Sequence, residues 1–376
     1  MKYTYIVMLG LFLFFSCASN QEHVLFKTST SIGNNAQSLP LSQLLSGRVR
    51  LIPLETNDTL LIGRINKIMK FDGDYYVLTN EKQVFRFDET GKYIGSLNKW
   101  GEGPEEYTSI IDFDVYKTNG VSEVWIADYA KIKRYDAVDF TFNSEVSFPF
   151  SVNKFRRIDE ETLLLMSGEG ENSLFITDMS GAVQRAFLPK EFPFLMFRPV
   201  QFKQYRDSLF LFQLGVSNDF ACYNSRSCSF DYGSFFEAKN DLLTKDVLKE
   251  MYEKDGIDYL GKLNQTNCIK SFAPFGNAMC FNLLEKEAMY FSKVGDNGAT
   301  LSVKLKPMTG ITNDLFDLSD LSFLLSLGFA ESDDSLLFFS NPSSFCDGTT
   351  TITMHDGTAI EISEEDNPLL IEFFVI

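Results

Sequence analysis

Short hydrophobic runs recur along most of the chain, with polar residues alternating inside them and Gly or Asp in the turns between them. The clearest example has apolar strands at residues 75–78 and 84–88, a turn at 89–92 and a third strand from residue 93. Alternation with a period of two residues is typical of strands that bury one face. The pattern therefore predicts β-structure over most of the chain.

This three-strand unit occurs six times. Its leading strands begin near residues 75, 124, 162, 209, 279 and 336, which gives spacings of 49, 38, 47, 70 and 57 residues. A period of ~40–50 residues, with four strands in each unit, is the signature of propeller blades. Since one blade cannot bury both of its faces, the units need one another. The sequence predicts an all-β, six-bladed β-propeller over residues 46–376.

A long interval between the fourth and fifth units contains a helical pattern. Four apolar side chains in residues 241–252 lie at helical spacing on one face: Leu243, Val247, Leu248 and Met251. Thr244 is a suitable N-cap for a helix that begins after it. We therefore expect a short helical insert at about residues 238–262, between blades 4 and 5.

The first 16 residues have the features of a signal peptide. Their apolar run at residues 6–15 is shorter than the ~20 residues that a membrane-spanning helix needs. Ser16 directly precedes Cys17, as a small residue does in lipoprotein signal peptides. We predict that Cys17 is lipidated and anchors the protein in a membrane, with residues 17–45 as a polar tether. The alternative is an ordinary secreted protein in which this cysteine has no role.

Charge and composition restrict the partners. The formal net charge is −17, the wrong sign for a nucleic-acid partner, which needs basic patches. The chain has 37 Phe and 15 Tyr residues, which suit strands and the space between packed sheets.

The remaining cysteines are five: Cys222, Cys228, Cys268, Cys280 and Cys346. Cys222 and Cys228 are close enough in sequence to bridge a hairpin, and a Cys268–Cys280 pair is a second possibility. The sequence favours the alternative that they are small buried apolar residues. With two histidines and no CxxC spacing in the chain, no metal site is predicted.

Three motifs in the first third of the chain are specific. They are L-E-T followed by L-I-G-x-I-x-K-I within residues 54–68, F-D-x-x-G-K-Y-I at 87–94, and G-x-G-P-x-E-Y at 101–107. Together they resemble the six-bladed, NHL-repeat-like β-propeller lipoproteins of Bacteroidota, most closely over residues 51–140. The resemblance implies a disc of six blades, export and a lipid anchor at the cell envelope. It implies no activity and no catalytic residues, and Glu105 stands where that family usually has Gly.

The third motif supplies the first group of candidate ligand-binding residues. Gly101 and Gly103 permit positive φ and Pro104 fixes its own φ, so together they specify a shaped structural loop. Beyond it the chain presents three candidates: Glu105, Glu106 and Tyr107. At the mouth of a central channel they would bind a sugar, a peptide or a cation. The alternative is a connector between blades whose tyrosine packs inward.

Asp112 and Asp114 form the second group of candidates. Two residues apart in a strand, their carboxylates lie on one face. They suit a pair of calcium ligands or a solvated strand edge, and the sequence favours the edge. No nucleophile elbow, P-loop, HExxH or EF-hand pattern occurs in the sequence, so no catalytic residue and no cofactor is predicted.

The pattern as a whole favours a non-catalytic envelope lipoprotein that is a binding or interaction module for a glycan, a peptide or a partner protein. The alternative is a propeller-type lyase or glycosidase with carboxylates at the channel. We expect export and an anchor in the outer membrane. The resemblance implies that acidic residues just after the lipidated cysteine direct such a protein to the cell surface. Glu22 is the one acidic residue in the short stretch after Cys17, so the sequence leaves open on which side of the outer membrane the protein lies.

Overall fold

The computed structural model describes residues 23–27, 36, 38–190, 202–237, 241–285, 287–306, 308–327, 330–331 and 335–375. The predicted signal peptide and Cys17 lie outside these residues. The N-terminal elements are β1 (His23–Phe26), β2 (Leu39–Pro40), α1 (Leu41–Leu44) and β3 (Val49–Pro53). Blade 1 contains β4 (Ile65–Phe71), β5 (Asp74–Thr79), β6 (Val84–Phe87) and β7 (Tyr93–Leu97). Blade 2 contains β8 (Asp112–Thr118), β9 (Val121–Asp128), β10 (Lys131–Asp136) and β11 (Phe142–Ser147).

The remaining blades follow in chain order. Blade 3 contains β12 (Lys154–Arg157), β13 (Thr162–Met166), β14 (Asn172–Asp178) and β15 (Val183–Pro189). Blade 4 contains β16 (Phe202–Tyr205), β17 (Leu209–Gln213), β18 (Asp219–Asn224) and β19 (Ser229–Phe236), and the helices α2 (Lys245–Asp255) and α3 (Tyr259–Lys262) follow it. Blade 5 contains β20 (Cys268–Phe275), β21 (Ala278–Glu285), β22 (Ala288–Gly295), β23 (Thr300–Lys306) and the short β24 (Met308–Thr309). The last strands are β25 (Ile311–Thr312), β26 (Ala330–Glu331), β27 (Ser335–Ser340), β28 (Thr349–Thr353), β29 (Ala359–Ser363) and β30 (Leu369–Phe374).

Consecutive strands pair antiparallel within blades 1 to 5, and the strands of each of these blades lie in one sheet. The first strands of neighbouring blades contact one another: β8 touches both β4 and β12, and β20 touches β16. These strands therefore surround the central axis, and the predicted six-bladed propeller is confirmed. The six leading strands seen in the sequence are the second strands of the blades, starting with β5 and ending with β27.

The ring closes with a strand from the other end of the chain. In blade 6, β27 pairs with β30, and β30 pairs with β3. The short β26 runs parallel to β4 and so joins blade 6 to blade 1 at the axis. A hairpin of β28 and β29 is inserted between β27 and β30. Such closure ties both halves of the chain together, because neither blade 6 nor the ring is complete without β3.

Part of the stretch expected to be a polar tether is folded onto the propeller. Strand β1 pairs in parallel with β19 at the outer edge of blade 4, and β2 pairs in parallel with β25. Phe26 is fully buried, with its ring centroid 6.1 Å from that of Phe236 and 6.0 Å from that of Phe281. Leu41 and Leu44 of α1 are buried as well. Apolar residues within residues 17–45 explain the difference, since they gain free energy by covering the blade edges.

The helical insert lies between blades 4 and 5, as predicted. Thr244 caps α2, and its side chain accepts a hydrogen bond from the Val247 N–H at 3.3 Å. Leu243 and Leu248 are buried, which anchors the insert on the disc. Val247 is 42% exposed, contrary to its predicted place on the apolar face, because the helix buries only a narrow stripe.

Candidate functional site

A cavity of about 840 Å³ opens at one end of the central channel. It lies where the first strands of blades 1, 2 and 3 begin and where the chain leaves β27. We call it the mouth cavity. The described residues that line it with polar or charged groups are Arg64, Asn66, Lys67, Asp112, Lys154, Asn341, Ser343 and Asp366.

The topology brings these residues together from distant parts of the chain. Each blade starts again at the axis, so the first residues of neighbouring inner strands meet at one face of the disc. Lys67 comes from β4, Asp112 from β8 and Lys154 from β12. The floor of the mouth cavity is thus built by three successive blades.

Asp112 is the centre of this floor. Its Oδ1 accepts hydrogen bonds from the Lys67 Nζ at 3.0 Å and the Lys154 Nζ at 3.2 Å. Its Oδ2 accepts the backbone N–H of Phe155 at 3.3 Å. Burial by itself raises the pKa of the carboxyl, but Lys154, Lys67 and Arg156 outweigh it and lower the pKa to about 2. Asp112 is therefore a permanent carboxylate, and both of its oxygens are already used.

The lysines around Asp112 are buried cations. Burial lowers the pKa of both Lys67 and Lys154, and Asp112 only partly offsets this. Lys203, on the first strand of blade 4, is buried too, and its pKa is lowered well below the usual value by burial and by repulsion from Arg156, Lys67 and Lys154. In the part of the chain that the structure describes, the channel thus brings basic side chains of several blades close together.

Asp114 lies one pleat deeper in the channel and has a different environment. Its Oδ2 accepts hydrogen bonds from the guanidinium of Arg156 and, at 2.6 Å, from the Tyr116 hydroxyl. Its Oδ1 accepts the N–H of Val115 at 2.8 Å. Burial, followed by the negative charge of Asp114, raises the pKa of Tyr116 well above its usual value. This closed network joins blade 2 to blade 3 and does not line the mouth cavity.

Asp112 and Asp114 do share one face of β8, as predicted, but neither lies on a solvated edge, since both are buried. Nor does their setting suit calcium, because ammonium and guanidinium groups already surround the carboxylates and would repel another cation. No group of three His, Cys, Asp or Glu residues with metal-binding geometry occurs among the described residues.

The loop at residues 101–107 is a connector between β7 and β8. Tyr107 is fully buried, and its hydroxyl donates to the carbonyl of Lys82 at 2.7 Å and accepts the N–H of Lys99 at 3.2 Å. The structure therefore favours the inward-packing alternative for this tyrosine. Burial raises the pKa of Tyr107 to about 12.

The two candidate glutamates of the loop, Glu105 and Glu106, are exposed, and neither is among the described residues that line the mouth cavity. The Glu106 carboxylate accepts the N–H of Gly103 at 2.8 Å, and the carbonyl of Glu105 accepts the Tyr135 hydroxyl at 3.0 Å. The carbonyl of Pro104 accepts a hydrogen bond from the Lys133 Nζ at 3.2 Å.

The glycines of this loop have a different role from the expected one. Neither Gly101 nor Gly103 belongs to the residues with positive φ. A Cβ on Gly101 would instead lie 1.9 Å from Oε2 of Glu106, so a side chain there would displace that carboxylate. The backbone of this loop therefore does not require glycine at either position, and a side chain at Gly101 would require only the exposed Glu106 carboxylate to move.

Neither considered disulfide is present in the part of the chain that the structure describes, which includes the cysteines at positions 222, 228, 268, 280 and 346. Cys268 and Cys280 are buried, as expected of small apolar side chains, whereas Cys228 is exposed. Burial raises the pKa of the Cys280 thiol to about 12, so this group stays protonated at neutral pH.

Comparison with known proteins supports the fold. A solved structure of a Bacteroides fragilis protein named as exported aligns with a TM-score of 0.70, covering 94% of this chain and 100% of that chain at 17% identity. A member of the DUF4221 family from Bacteroides vulgatus aligns with a TM-score of 0.52, covering 87% and 96% at 10% identity. No curated protein matches the chain in sequence.

The described residues include no helix that is long and apolar enough to cross a membrane. Residues 25–373 match the family described as a domain of unknown function, DUF4934. Because this match covers all six blades and most of the N-terminal segment, the chain belongs to the DUF4934 family.

Proposed function

We propose that the protein is a non-catalytic binding module whose mouth cavity takes a small polar ligand, such as part of a glycan or a peptide. The observation that carries this proposal is a concave site of about 840 Å³ with polar groups converging from four blades. Sites of this size, with a few well-placed polar groups, are the usual form of small-ligand pockets. Arg64, Asn66, Asn341 and Ser343 form an exposed rim above the buried floor.

The lyase or glycosidase alternative has less support. Glycosidases of the usual kind need one carboxylic acid that donates a proton near neutral pH. Asp112 is the carboxylate at the floor, and with a pKa of about 2 it has no proton to donate. Asp366, at the rim, accepts the backbone N–H of Ser363 at 2.7 Å, which suits a turn-stabilising role.

The test is ligand binding by the full chain, purified in detergent, on glycan and peptide arrays and then by titration calorimetry. The variant Asn66→Trp places a large ring at the rim of the mouth cavity and is expected to abolish binding. Lys92→Trp is the matched control, because Lys92 is exposed in the turn between β6 and β7 at the opposite end of blade 1. The proposal is contradicted if both variants bind the ligand as the wild type does. It is also contradicted if no glycan or peptide binds while the protein forms a stable complex with another protein.

We further propose that the protein is exported and held at the outer membrane through lipid on Cys17. The signal-peptide pattern, the resemblance to NHL-repeat-like lipoproteins and the similarity in fold to a Bacteroides fragilis protein named as exported support this. His23 follows Cys17 by 6 positions, a reach of ~20 Å for an extended chain. Because β1 is fixed to blade 4, such an anchor would keep the outer edge of that blade close to the bilayer.

The mass of the mature N-terminus tests the anchor. We expect a polypeptide that begins at Cys17 and carries acyl chains, and we expect Cys17→Ser to leave the membrane fraction. Ser16→Ala is the control, because it keeps both the cysteine and a small residue before it. A Cys17→Ser protein that stays membrane-bound would refute the lipid anchor.

A further inference from the structure

We propose that the ligand of the mouth cavity is an anion, and that it binds through a carboxylate between Arg64 and Lys154. This inference rests on the proposed function, since it names the chemical class of the ligand for the same site. Its basis is an imbalance between hydrogen-bond donors and acceptors on the described walls of the cavity.

Lys154 is the main donor at the floor. Its ammonium group has three N–H donors, and the described residues supply one acceptor for them, the Asp112 Oδ1 at 3.2 Å. The side chain is 17% exposed and lines the cavity, so its remaining donors have access to a ligand.

The rim adds donors of the same kind. Arg64 lines the cavity, is exposed, and makes no side-chain hydrogen bond or ion pair with any described residue. A guanidinium group presents five N–H donors in a planar fork that matches a carboxylate. Asn66 and Asn341 add two amide groups that, within the described chain, have no side-chain partner.

The carboxylate at the floor of the cavity, in contrast, is already engaged through both of its oxygens. Lys67 and Lys154 share one oxygen of Asp112, and the N–H of Phe155 takes the other. Asp366 uses its Oδ2 for the N–H of Ser363. A negatively charged ligand therefore fits this site better than a cation, and a carboxylate suits it because it matches the planar fork of Arg64 and forms charged hydrogen bonds, which are stronger than neutral ones.

Two pairs of probes test the inference by titration calorimetry at low and high salt. Trigalacturonate is compared with the neutral galactotriose, and the tripeptide Ala-Glu-Ala with Ala-Gln-Ala. We expect the acidic member of one pair to bind about tenfold or more tightly than its neutral counterpart, and added salt to weaken it. The pair that responds identifies the source of the carboxylate as a sugar or a peptide.

The variants Arg64→Gln and Lys154→Gln are each expected to weaken binding of the acidic probe about tenfold or more. Arg64→Lys keeps the positive charge and is expected to lose less affinity than Arg64→Gln. Lys92→Gln at the opposite end of blade 1 is the control and should bind like the wild type. Arg64 is exposed, so its loss does not endanger folding, and a thermal melt checks the folding of Lys154→Gln.

One result would overturn the anionic ligand and still support the binding module. In that result the neutral probe binds as tightly as the acidic one, Asn66→Trp abolishes the binding, and Arg64→Gln does not. If none of the four probes binds, the anionic ligand is refuted, and the array result alone then decides the binding module.

Discussion

Asp112 and Asp114 lie two residues apart on β8 and share the same face, yet they belong to different kinds of structure. Asp114 is enclosed by Arg156, Tyr116 and its own backbone neighbour, and nothing in that network faces the mouth cavity. Asp112 forms the floor of that cavity and holds two lysines with one oxygen. The difference teaches that depth along the channel decides the role: the deeper carboxylate joins two blades in a closed network, and the outer one holds two lysines at the floor of the mouth cavity.

The largest expected effect comes from breaking the closed network. In Asp114→Asn the guanidinium of Arg156, whose side chain is 10% exposed, loses its carboxylate while it stays buried. Removal of one partner from a buried ion pair costs about 3–5 kcal/mol of folding free energy. Urea unfolding measures this, and ligand binding at the mouth cavity should persist in the folded fraction. If Asp114→Asn lowers the free energy of unfolding by less than Asp112→Asn does, the assigned difference between the two carboxylates is contradicted.

The pH dependence of stability sharpens the comparison at Asp112. Its pKa is about 2 in the folded protein against an ordinary value of 3.8, so the folded state favours the carboxylate. The stabilisation is fully present above about pH 4 and is lost as the pH falls through about 2, a total of about 2 kcal/mol. Unfolding free energies of the wild type and of Asp112→Asn, measured from pH 6 to pH 2, should therefore converge in acid. A constant difference over this range would show that Asp112 is not held by its lysines.

A smaller effect is expected in the connector loop, where Tyr107 also has a closed environment. Tyr107→Phe removes a hydroxyl that donates to the Lys82 carbonyl and accepts the Lys99 N–H. The expected loss is about 1–2 kcal/mol of folding free energy, because those backbone groups lose their partner. Thermal unfolding checks it against Tyr129→Phe, since Tyr129 is exposed. If Tyr107→Phe weakens ligand binding and leaves stability unchanged, Tyr107 is a binding residue rather than a structural one.

The smallest effect is expected for Glu105→Gln. The side chain is exposed, and the structure uses the backbone carbonyl of this residue, which the substitution preserves. Stability should change by less than about 0.5 kcal/mol, as is usual for surface positions. The affinity for a ligand of the mouth cavity should not change either. A clear loss of affinity in calorimetry would place the binding site at the connector loop instead.

The sequence by itself determined the architecture, because the second strands of the blades are short apolar runs that recur at the spacing of blades. Strands such as β5 and β17 bury apolar side chains in the cores between blades, and their spacing fixed the number of blades. The helical insert was also predictable, since Thr244 and the apolar spacing after it are local signals.

The first strands escaped the pattern because they carry charged residues at the axis. Lys154 and Arg156 of β12, or Lys203 of β16, look like solvated positions in a sequence, although all three are mostly or fully buried in the structure. A lysine near the start of a first strand is the signal that these three strands share, and it is too weak to assign a site alone. It is the first residue of β12, the second of β16 and the third of β4.

Only the tertiary structure decided which groups meet. Asp112 contacts Lys67 and Lys154 because ring closure places the first strands of three blades side by side, a relation that no local pattern contains. The same holds for β3, which completes blade 6 from the opposite end of the chain, and for β1 on the edge of blade 4. Local hydrophobic periodicity specifies strands and blades, whereas the position of each charge depends on contacts between residues far apart in sequence.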